Sequence, residues 1–167
     1  MTYICSYLHD MKVTLDTNIL PADDLIASVL PGLFEFSIVS VTDREMGGSA
    51  TQVNISNIPE TMVWDESRFD EAVWDDSESA SCLEFCLKII SGGSFPPLGK
   101  RDKLTRGRLR QYRDAMIFCA HVRENRAIFV TNDISGFIKG DRRIQLEKAF
   151  HTRIMTRIEF LFVFGEK

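Results

Sequence analysis

Short apolar runs alternate with longer amphipathic stretches along this chain, and the alternation predicts its main elements. Residues 11–15, 36–41 and 127–131 are short, mainly apolar stretches, so each predicts a β-strand. Residues 79–91 and 104–125 carry apolar side chains at helical spacing and predict α-helices. Strands that alternate with helices are typical of an α/β domain with a mainly parallel sheet.

Prolines and glycines mark where further elements begin and end. Pro21, followed by two aspartates, predicts the start of a helix that ends before Pro31 and Gly32. Residues 47–60 contain two adjacent glycines and predict a loop or a short edge element. The C-terminal part adds a predicted helix at 144–150 and two short apolar stretches, 154–156 and 160–164, of which at least one is expected to be a late strand.

The length and composition favour a single domain that spans residues 1–167. Of the 167 residues, 44% are hydrophobic, which is enough to bury a sizeable core. The first residues do not resemble a secretory signal, and no stretch is as apolar as a membrane span. We therefore expect a cytoplasmic protein with no membrane partner.

The cysteines Cys5, Cys82, Cys86 and Cys119 form no CxxC pair. This usage favours a reduced protein in which the thiols are ordinary buried side chains. Cys82 and Cys86 lie one helical turn apart, so a shared metal ion is the alternative. No second pair of His or Cys residues accompanies them in the sequence.

The net charge of -4 conceals two oppositely charged parts of the chain. Residues 1–79 carry 3 basic and 15 acidic side chains, whereas residues 80–167 carry 17 basic and 9 acidic ones. Seven acidic residues lie within 65–78, and seven basic residues lie within 100–113. The total charge therefore does not exclude a nucleic-acid partner.

Two aspartates follow predicted strands directly. Asp16 comes after the first strand and Asp133 after the strand at 127–131. In a parallel α/β sheet, ligands bind at the carboxyl ends of the strands, so both carboxylates are expected at the same edge. The alternatives are structural, because Asp is also favoured as a helix N-cap, the option for Asp16, and in turns, the option for Asp133.

Two further acids complete the candidate set. Glu45 follows the second strand, although Thr42 and Glu45 also match a capping box. Asp114 lies in the helix that leads to the Asp133 strand, at the edge of an apolar face, where a carboxylate is costly unless it is paired or holds a metal. An ion pair with Arg110 or Arg113 is the structural alternative for Asp114.

Four clustered carboxylates would favour a metal ion. Carboxylates about 4 Å apart repel by roughly 4 kcal/mol per pair at an intermediate dielectric, so such a cluster recruits a hard divalent cation. Oxygen ligands favour Mg²⁺ or Mn²⁺ over Zn²⁺. A cluster of this kind suits phosphodiester hydrolysis, because the metal activates water and neutralises charge on the phosphate.

The sequence around these acids resembles the PIN-domain ribonucleases. The resemblance covers roughly residues 11–161 and includes the segments VTLDTNIL, Ser40-Val41 followed by Glu45, RDAMIFCAH, FVTNDISGF and the late T-x-x-E-F-L. The four acids occur in the family's order and spacing. Between residues 47 and 113 the chain departs from the small toxins of the family by a longer, charge-polarised insertion.

The resemblance implies a three-layer α/β/α sandwich of Rossmann-like topology and cleavage of single-stranded RNA that depends on Mg²⁺ or Mn²⁺. It implies that Asp16, Glu45, Asp114 and Asp133 are the catalytic, metal-binding acids, and that Asn18 and Thr131 position their neighbours by hydrogen bonds. Many members are toxins of toxin-antitoxin pairs, so a small protein inhibitor and a homodimer are possible partners.

The basic run leads directly into Asp114, and its position favours contact with an RNA backbone. The alternatives are a solvated helix face or a surface that pairs with the acidic run at 65–78. Trp64, Phe69 and Trp74 within that acidic run are candidates for base stacking or, more simply, for packing. The candidate RNA-binding residues are Lys100, Arg101, Lys103, Arg106, Arg108, Arg110 and Arg113.

Three functions are compatible with these residues. The leading prediction is a metal-dependent endoribonuclease, and the main alternative is a non-catalytic RNA-binding or protein-interaction module with the same fold. A phosphatase or a DNA hydrolase would use similar metal chemistry, but the first strand lacks a DxDxT motif, which disfavours the phosphatase. His121 has no nucleophile partner in the pattern and is expected to be a buried structural histidine.

Overall fold

A five-stranded parallel sheet lies at the centre of the computed structural model, which describes residues 11–45, 55–61, 72–73 and 77–166. The strands of this sheet are β1 Met11–Leu15, β2 Phe34–Val39, β3 Ile55–Ile58, β6 Ile128–Val130 and β7 Arg153–Met155. Their spatial order is β3-β2-β1-β6-β7, and every neighbouring pair is parallel. Two short strands, β4 Glu60–Thr61 and β5 Ala72–Val73, form a separate parallel pair.

Helices connect the strands, as the α/β prediction requires. They are α1 Asp23–Ala27, α2 Ser40–Glu45, α3 Ser77–Ile90, α4 Arg106–Arg123, α5 Arg142–Phe150 and α6 Arg157–Phe164. Short 3-10 turns occupy Thr17–Ile19 and Leu98–Lys100, and one turn of π-helix occupies Ile134–Ile138. None of the helices in the described ranges is both long and apolar enough to cross a membrane.

Two hydrophobic cores, one on each face of the sheet, make the fold a three-layer α/β/α sandwich. On one face, Val39 and Phe129 pack with the buried sides of α3 and α4. On the other face, Ile38 and Val130 pack with residues of α1 and α6. Successive residues of a strand point to opposite faces, so β2 and β6 each supply residues to both cores. The strand β6 is apolar at every position, whereas β1 and β2 also contain polar residues, such as the buried Thr14 and Ser37.

A buried polar network lies between α4 and the sheet. His121 is fully buried, its Nδ1 lies 2.9 Å from the Thr14 hydroxyl, and its Nε2 lies 2.6 Å from the Thr152 hydroxyl. Burial, together with the nearby Arg126 charge, lowers the pKa of His121 from 6.5 to about 3, so the ring is neutral. The prediction of a buried structural histidine is confirmed.

The structure corrects the end of the second predicted strand and confirms a predicted edge element. The second strand ends at Val39 rather than Val41, and α2 begins directly at Ser40. Thr42 therefore lies inside α2 and cannot be its N-cap, so the proposed Thr42–Glu45 capping box is wrong. Part of the stretch expected to be a loop or edge element, Ile55–Ile58, is the edge strand β3.

The two late apolar stretches have different structures. The first contributes the strand β7, which confirms the expected late strand, and the second is the helix α6. A capping box starts α6: the Thr156 hydroxyl accepts a hydrogen bond from the Glu159 backbone, and the Glu159 carboxylate accepts one from the Thr156 backbone. These reciprocal bonds fix the turn from β7 into the last helix.

The strand order creates one crevice at the carboxyl edge of the sheet. From the central strand β1, the chain continues to β2 on one side, whereas β6 pairs with the other side. Ligands of open α/β sheets bind at such a reversal of strand order, outside the carboxyl ends of the strands. Leu15 and Val130 are register partners, so the residues that follow them emerge side by side at this point.

Candidate active site at the carboxyl edge of the sheet

Asp16 is the innermost acid of the candidate site and is only 1% exposed. Its Oδ1 accepts a hydrogen bond of 2.8 Å from the Thr17 backbone, and the carboxylate thereby caps the 3-10 turn that follows β1. Its Oδ2 accepts bonds of 2.7 Å from the Asn18 amide and 2.6 Å from the Thr131 hydroxyl. The capping role that the sequence left open is therefore present, together with two side-chain donors that a simple cap does not need.

The charge of Asp16 is poorly compensated. Burial, and to a smaller extent the negative charge of Asp133, raises the pKa of Asp16 from 3.8 to about 6, although the hydrogen bonds from Thr131, Thr17 and Asn18 oppose the rise. All three donors are neutral, and no cation of the described residues takes part. A carboxylate in this position gains more than an exposed one from the arrival of a cation.

Asn18 and Thr131 join the loops that follow β1 and β6. The Asn18 amide also donates to the Thr131 hydroxyl over 3.2 Å, and the Asn18 carbonyl accepts from the Asn132 backbone over 2.7 Å. The Thr131 hydroxyl accepts a further bond of 3.0 Å from the Asp133 backbone. Both side chains thus make the hydrogen bonds expected of them and hold the carboxylate of Asp16 in one orientation.

Asp133 caps the π-helical turn after β6. Its Oδ1 accepts three bonds, of 3.1 Å from the Ser135 backbone, 2.8 Å from the Ser135 hydroxyl and 3.0 Å from the Gly136 backbone. A Cβ at Gly136 would come too close to Oδ2 of Asp133, so any larger residue there would displace this carboxylate. The turn-forming alternative for Asp133 is therefore correct, and the same turn fixes the orientation of the carboxylate.

A cleft of about 940 Å³ opens beside Asp133, between the ends of α3, α4, α5 and the π-helical turn. Asp114 lies half-buried on α4 and lines this cleft together with Asp133. Other polar residues of its wall are Lys88, Arg110, Gln111, Ser135, Lys139, Asp141, Arg142 and Gln145. The cleft therefore combines acidic groups with cations and hydrogen-bonding side chains.

The predicted acids are brought together only in part. Asp16 and Asp133 interact electrostatically through adjacent loops, and Asp114 shares the cleft with Asp133. Glu45 is the last residue of α2, and its side chain lies outside the described residues. Among the side chains that the structure describes, no three from His, Cys, Asp and Glu are close enough together to hold one ion.

The predicted RNA-binding cations of residues 100–113 lie in several different environments. Arg101 forms a two-pronged ion pair with Glu84, at 2.7 and 2.9 Å, and its guanidinium lies over the Phe95 ring. Arg108 bonds Gln111 and Ser94, and Arg113 is half-buried. Lys100, Lys103 and Arg106 are exposed, and Arg110 lines the cleft. The run is thus partly structural, and of its seven cations Arg110 is the one in the cleft wall.

The aromatic residues that were candidates for base stacking in and beside the acidic run lie outside the described residues. They are Trp64, Phe69 and Trp74.

Sequence reasoning missed three cations of the cleft: Lys88 at the end of α3, Lys139 after the π-helical turn and Arg142 at the start of α5. Within the described part of the chain, no ion pair engages these three or Arg110. Arg101, Arg126, Arg143 and Arg157, by contrast, are each paired with a carboxylate. The cleft therefore holds cations that remain available to an anionic ligand.

The fold and the cleft define the protein as an α/β/α sandwich with a cleft beside Asp133, at the carboxyl end of β6, that is lined by both acids and cations. A scan of known protein-family profiles matches no family, and a search of curated proteins finds no related sequence. The function must therefore be argued from the residues of this chain.

Proposed function

We propose that this protein is a Mg²⁺- or Mn²⁺-dependent endoribonuclease of the PIN type, which hydrolyses phosphodiester bonds of single-stranded RNA. One observation carries the proposal: the buried, poorly compensated carboxylate of Asp16 lies beside Asp133, whose cleft also contains Asp114 and four cations that are free of ion pairs with the described residues. Acids that hold a cation, next to bases that hold phosphates, are what phosphodiester hydrolysis requires.

The donor set fits a hard divalent cation. Asp16, Asp114 and Asp133 offer carboxylate oxygens from β1, α4 and the end of β6, and Glu45 at the end of α2 is the proposed fourth ligand. Burial disfavours the charged form of Asp16, so a bound cation would relieve an unfavourable interaction already present in the fold. When bound, such an ion lowers the pKa of a water molecule and stabilises negative charge on the phosphate.

The neighbouring residues orient the acids. Asn18 and Thr131 hold Oδ2 of Asp16, whereas Ser135 and Gly136 hold Oδ1 of Asp133 and leave Oδ2 as its remaining ligand atom. These bonds come from short loops at the rigid sheet edge, so the carboxylates are arranged before any ligand binds. Such preorganisation is what makes an electrostatic site effective in catalysis.

The cations give the cleft its proposed substrate. Lys88, Arg110, Lys139 and Arg142 come from separate elements and line one cleft, which suits successive phosphates of a nucleic-acid backbone. The Arg142 guanidinium lies close to Gly92, at 3.5 Å from where a Cβ would stand. We propose single-stranded RNA as the backbone that enters, and binding should weaken as the salt concentration rises.

The test is cleavage of a labelled single-stranded RNA in Mg²⁺, Mn²⁺ or EDTA. Wild type should cleave in either metal, whereas Asp114→Asn and Asp133→Asn should each reduce the rate by about 10³-fold or more. Asp102→Asn is the matched control, because Asp102 is an exposed acid outside the cleft. Equal cleavage by wild type and both cleft variants would refute the proposal, and DNA and small phosphate esters in parallel would reveal a different hydrolase.

The second candidate is a non-catalytic RNA-binding module. The observation that favours it is the lack, among the described side chains, of three acids close enough to share an ion. This module would bind RNA through the same cations without cleaving it under any metal. Binding that is insensitive to EDTA, with intact RNA after long incubation in Mn²⁺, would identify it.

The resemblance to PIN-domain toxins extends the proposal to partners. We propose a cytoplasmic protein that is held inactive by a small antitoxin-like protein and that assembles as a homodimer. The inhibitor is tested by establishing whether a small reading frame neighbours the gene, and by co-expression, co-purification and a cleavage assay with its product. Light scattering of the purified chain tests the dimer.

A further inference from the structure

Three buried thiols meet where α3 packs against α4. Cys82 and Cys86 lie one turn apart on α3, and Cys119 faces them from α4. The sulfur atoms of Cys82 and Cys119 are 2.6 Å apart, whereas a disulfide bond is about 2.05 Å long. Burial, with hydrogen bonds to both thiols of α3, raises the pKa of Cys119 well above its ordinary value.

We propose that Cys82 and Cys119 are a site of reversible oxidation, which takes a small disulfide such as oxidised glutathione and becomes a covalent cross-link between α3 and α4. This inference is independent of the proposed nuclease function. It rests on the separation of the two sulfurs, on the packing of two rigid helices, and on the fact that Cys82 is 8% exposed whereas Cys86 and Cys119 are 0% and 2% exposed.

The difference in exposure sets the order of the two exchange steps. The thiolate of Cys82 attacks one sulfur of the small disulfide, so a mixed disulfide forms and one small thiol leaves. Cys119 then loses its proton, which its raised pKa makes the slow step, and attacks the Cys82 sulfur, so that the second small thiol leaves. The two cysteines give up two protons and two electrons, and the small disulfide is reduced to two thiols.

The cross-link would join the two helices that carry one side of the cleft. Lys88 lies at the end of α3, and Arg110 and Asp114 lie on α4. The two cysteines are 37 residues apart in the sequence, so the bond would close a long loop of the unfolded chain. Closing such a loop stabilises the folded state, and the oxidised protein should melt roughly 8–15 °C above the reduced one.

The experiment uses the full chain with Cys5→Ser, so that only the three clustered thiols are counted. The protein is incubated with oxidised glutathione, denatured, alkylated and analysed by intact mass and peptide mapping, with a melting curve before and after reduction. We expect a Cys82–Cys119 linked peptide, one remaining alkylated thiol at Cys86 and the higher melting temperature. Cys86→Ala, also buried and one turn from Cys82, is the matched control and should retain the link.

Three results would overturn the proposal: three alkylated thiols, glutathione adducts without a link, or a Cys86–Cys119 link in the wild-type cluster. Cys82→Ser should lose the Cys82–Cys119 link, and near-UV circular dichroism verifies that this variant is folded. Because the cluster is unsubstituted in the Cys5→Ser protein, whose folding the same circular dichroism verifies, the result does not depend on the folding of any cluster variant. RNA cleavage is not part of the readout, so failure here leaves the proposed function unaffected.

Discussion

Two charged side chains are buried at opposite ends of the central sheet, and their surroundings differ. Arg126, before β6, is 4% exposed, pairs with Glu35 at 2.9 Å and donates to the carbonyl groups of Val13 and Glu35. Asp16, after β1, is 1% exposed, and among the described residues it receives hydrogen bonds from neutral donors alone and has another acid as its neighbour. The buried charge at the amino end of the sheet is thus paired, although the Arg126 Nε lacks a hydrogen-bond partner among the described residues, whereas no described cation pairs with the buried charge at the carboxyl end.

The difference indicates where the fold serves stability and where it serves function. A buried charge that is paired and hydrogen-bonded keeps the structure in place, although it adds little compared with an apolar residue. A buried charge left without a counter-charge opposes folding, and such groups concentrate at functional sites. Variants at the two ends should therefore change stability in opposite directions at neutral pH.

His121 gives the largest expected effect at the amino end. Its folded pKa of about 3 lies below the ordinary 6.5, so the unfolded chain takes up a proton that the folded chain refuses. Stability should fall as the pH drops from about 6.5 towards 3, by up to about 4–5 kcal/mol. Urea unfolding of wild type and His121→Gln over this range measures it. The free energy of unfolding of the variant should fall less steeply with decreasing pH than that of wild type. Equal pH dependence in the two proteins would contradict the prediction.

Arg126→Met should destabilise the protein by about 2–4 kcal/mol, because it leaves the carbonyl groups of Val13 and Glu35 without their donor. Urea unfolding at pH 7 is the measurement. Arg153→Met is the control, because Arg153 is exposed and should change the free energy of unfolding by less than about 0.5 kcal/mol. Equal effects at the two positions would show that the buried pair is not what stabilises this end.

The sequence predicted the sheet edge better than the cleft, for physical reasons. Asp16 and Asp133 were predicted as site residues because each directly follows a short, mainly apolar stretch that is recognisable as a strand in the sequence. The second strand was extended too far because Val39 and Val41 suit a strand equally well, and the helix start at Ser40 depends on its packing. In the last stretch, the Thr156–Glu159 capping box outweighed a run of apolar residues that fits either structure.

No pattern in the sequence identifies the cations that line the cleft. Lys88, Lys139 and Arg142 lie on three elements that are distant in sequence and meet only when α3, the π-helical turn and α5 pack together. The basic run was visible as a charge cluster, yet Arg101 within it is taken up by Glu84. Composition identifies charged segments, whereas tertiary packing decides which charges remain available to a ligand.

In metal-free protein at pH 7, Asp16→Asn should raise the free energy of unfolding, whereas Arg126→Met should lower it. The folded pKa of about 6 exceeds the ordinary 3.8, so Asp16 opposes folding once the pH rises through about 6 and does not below about 4. Relative to wild type, the variant should gain up to about 3 kcal/mol between pH 4 and pH 7. Urea unfolding in EDTA measures this gain, and a pH-independent difference would contradict it.

Adding Mn²⁺ to the same pair of proteins links this stability effect to the proposed site. A cation that binds the folded state at about ten times its dissociation constant stabilises it by about 1.4 kcal/mol, equivalent to roughly 3–6 °C in melting temperature. Wild type should show this shift, whereas Asp16→Asn should show less, because its amide lacks the charge that attracts the ion. Equal shifts in both proteins would mean that Mn²⁺ binds elsewhere. A different ligand would then have to neutralise the charge of Asp16.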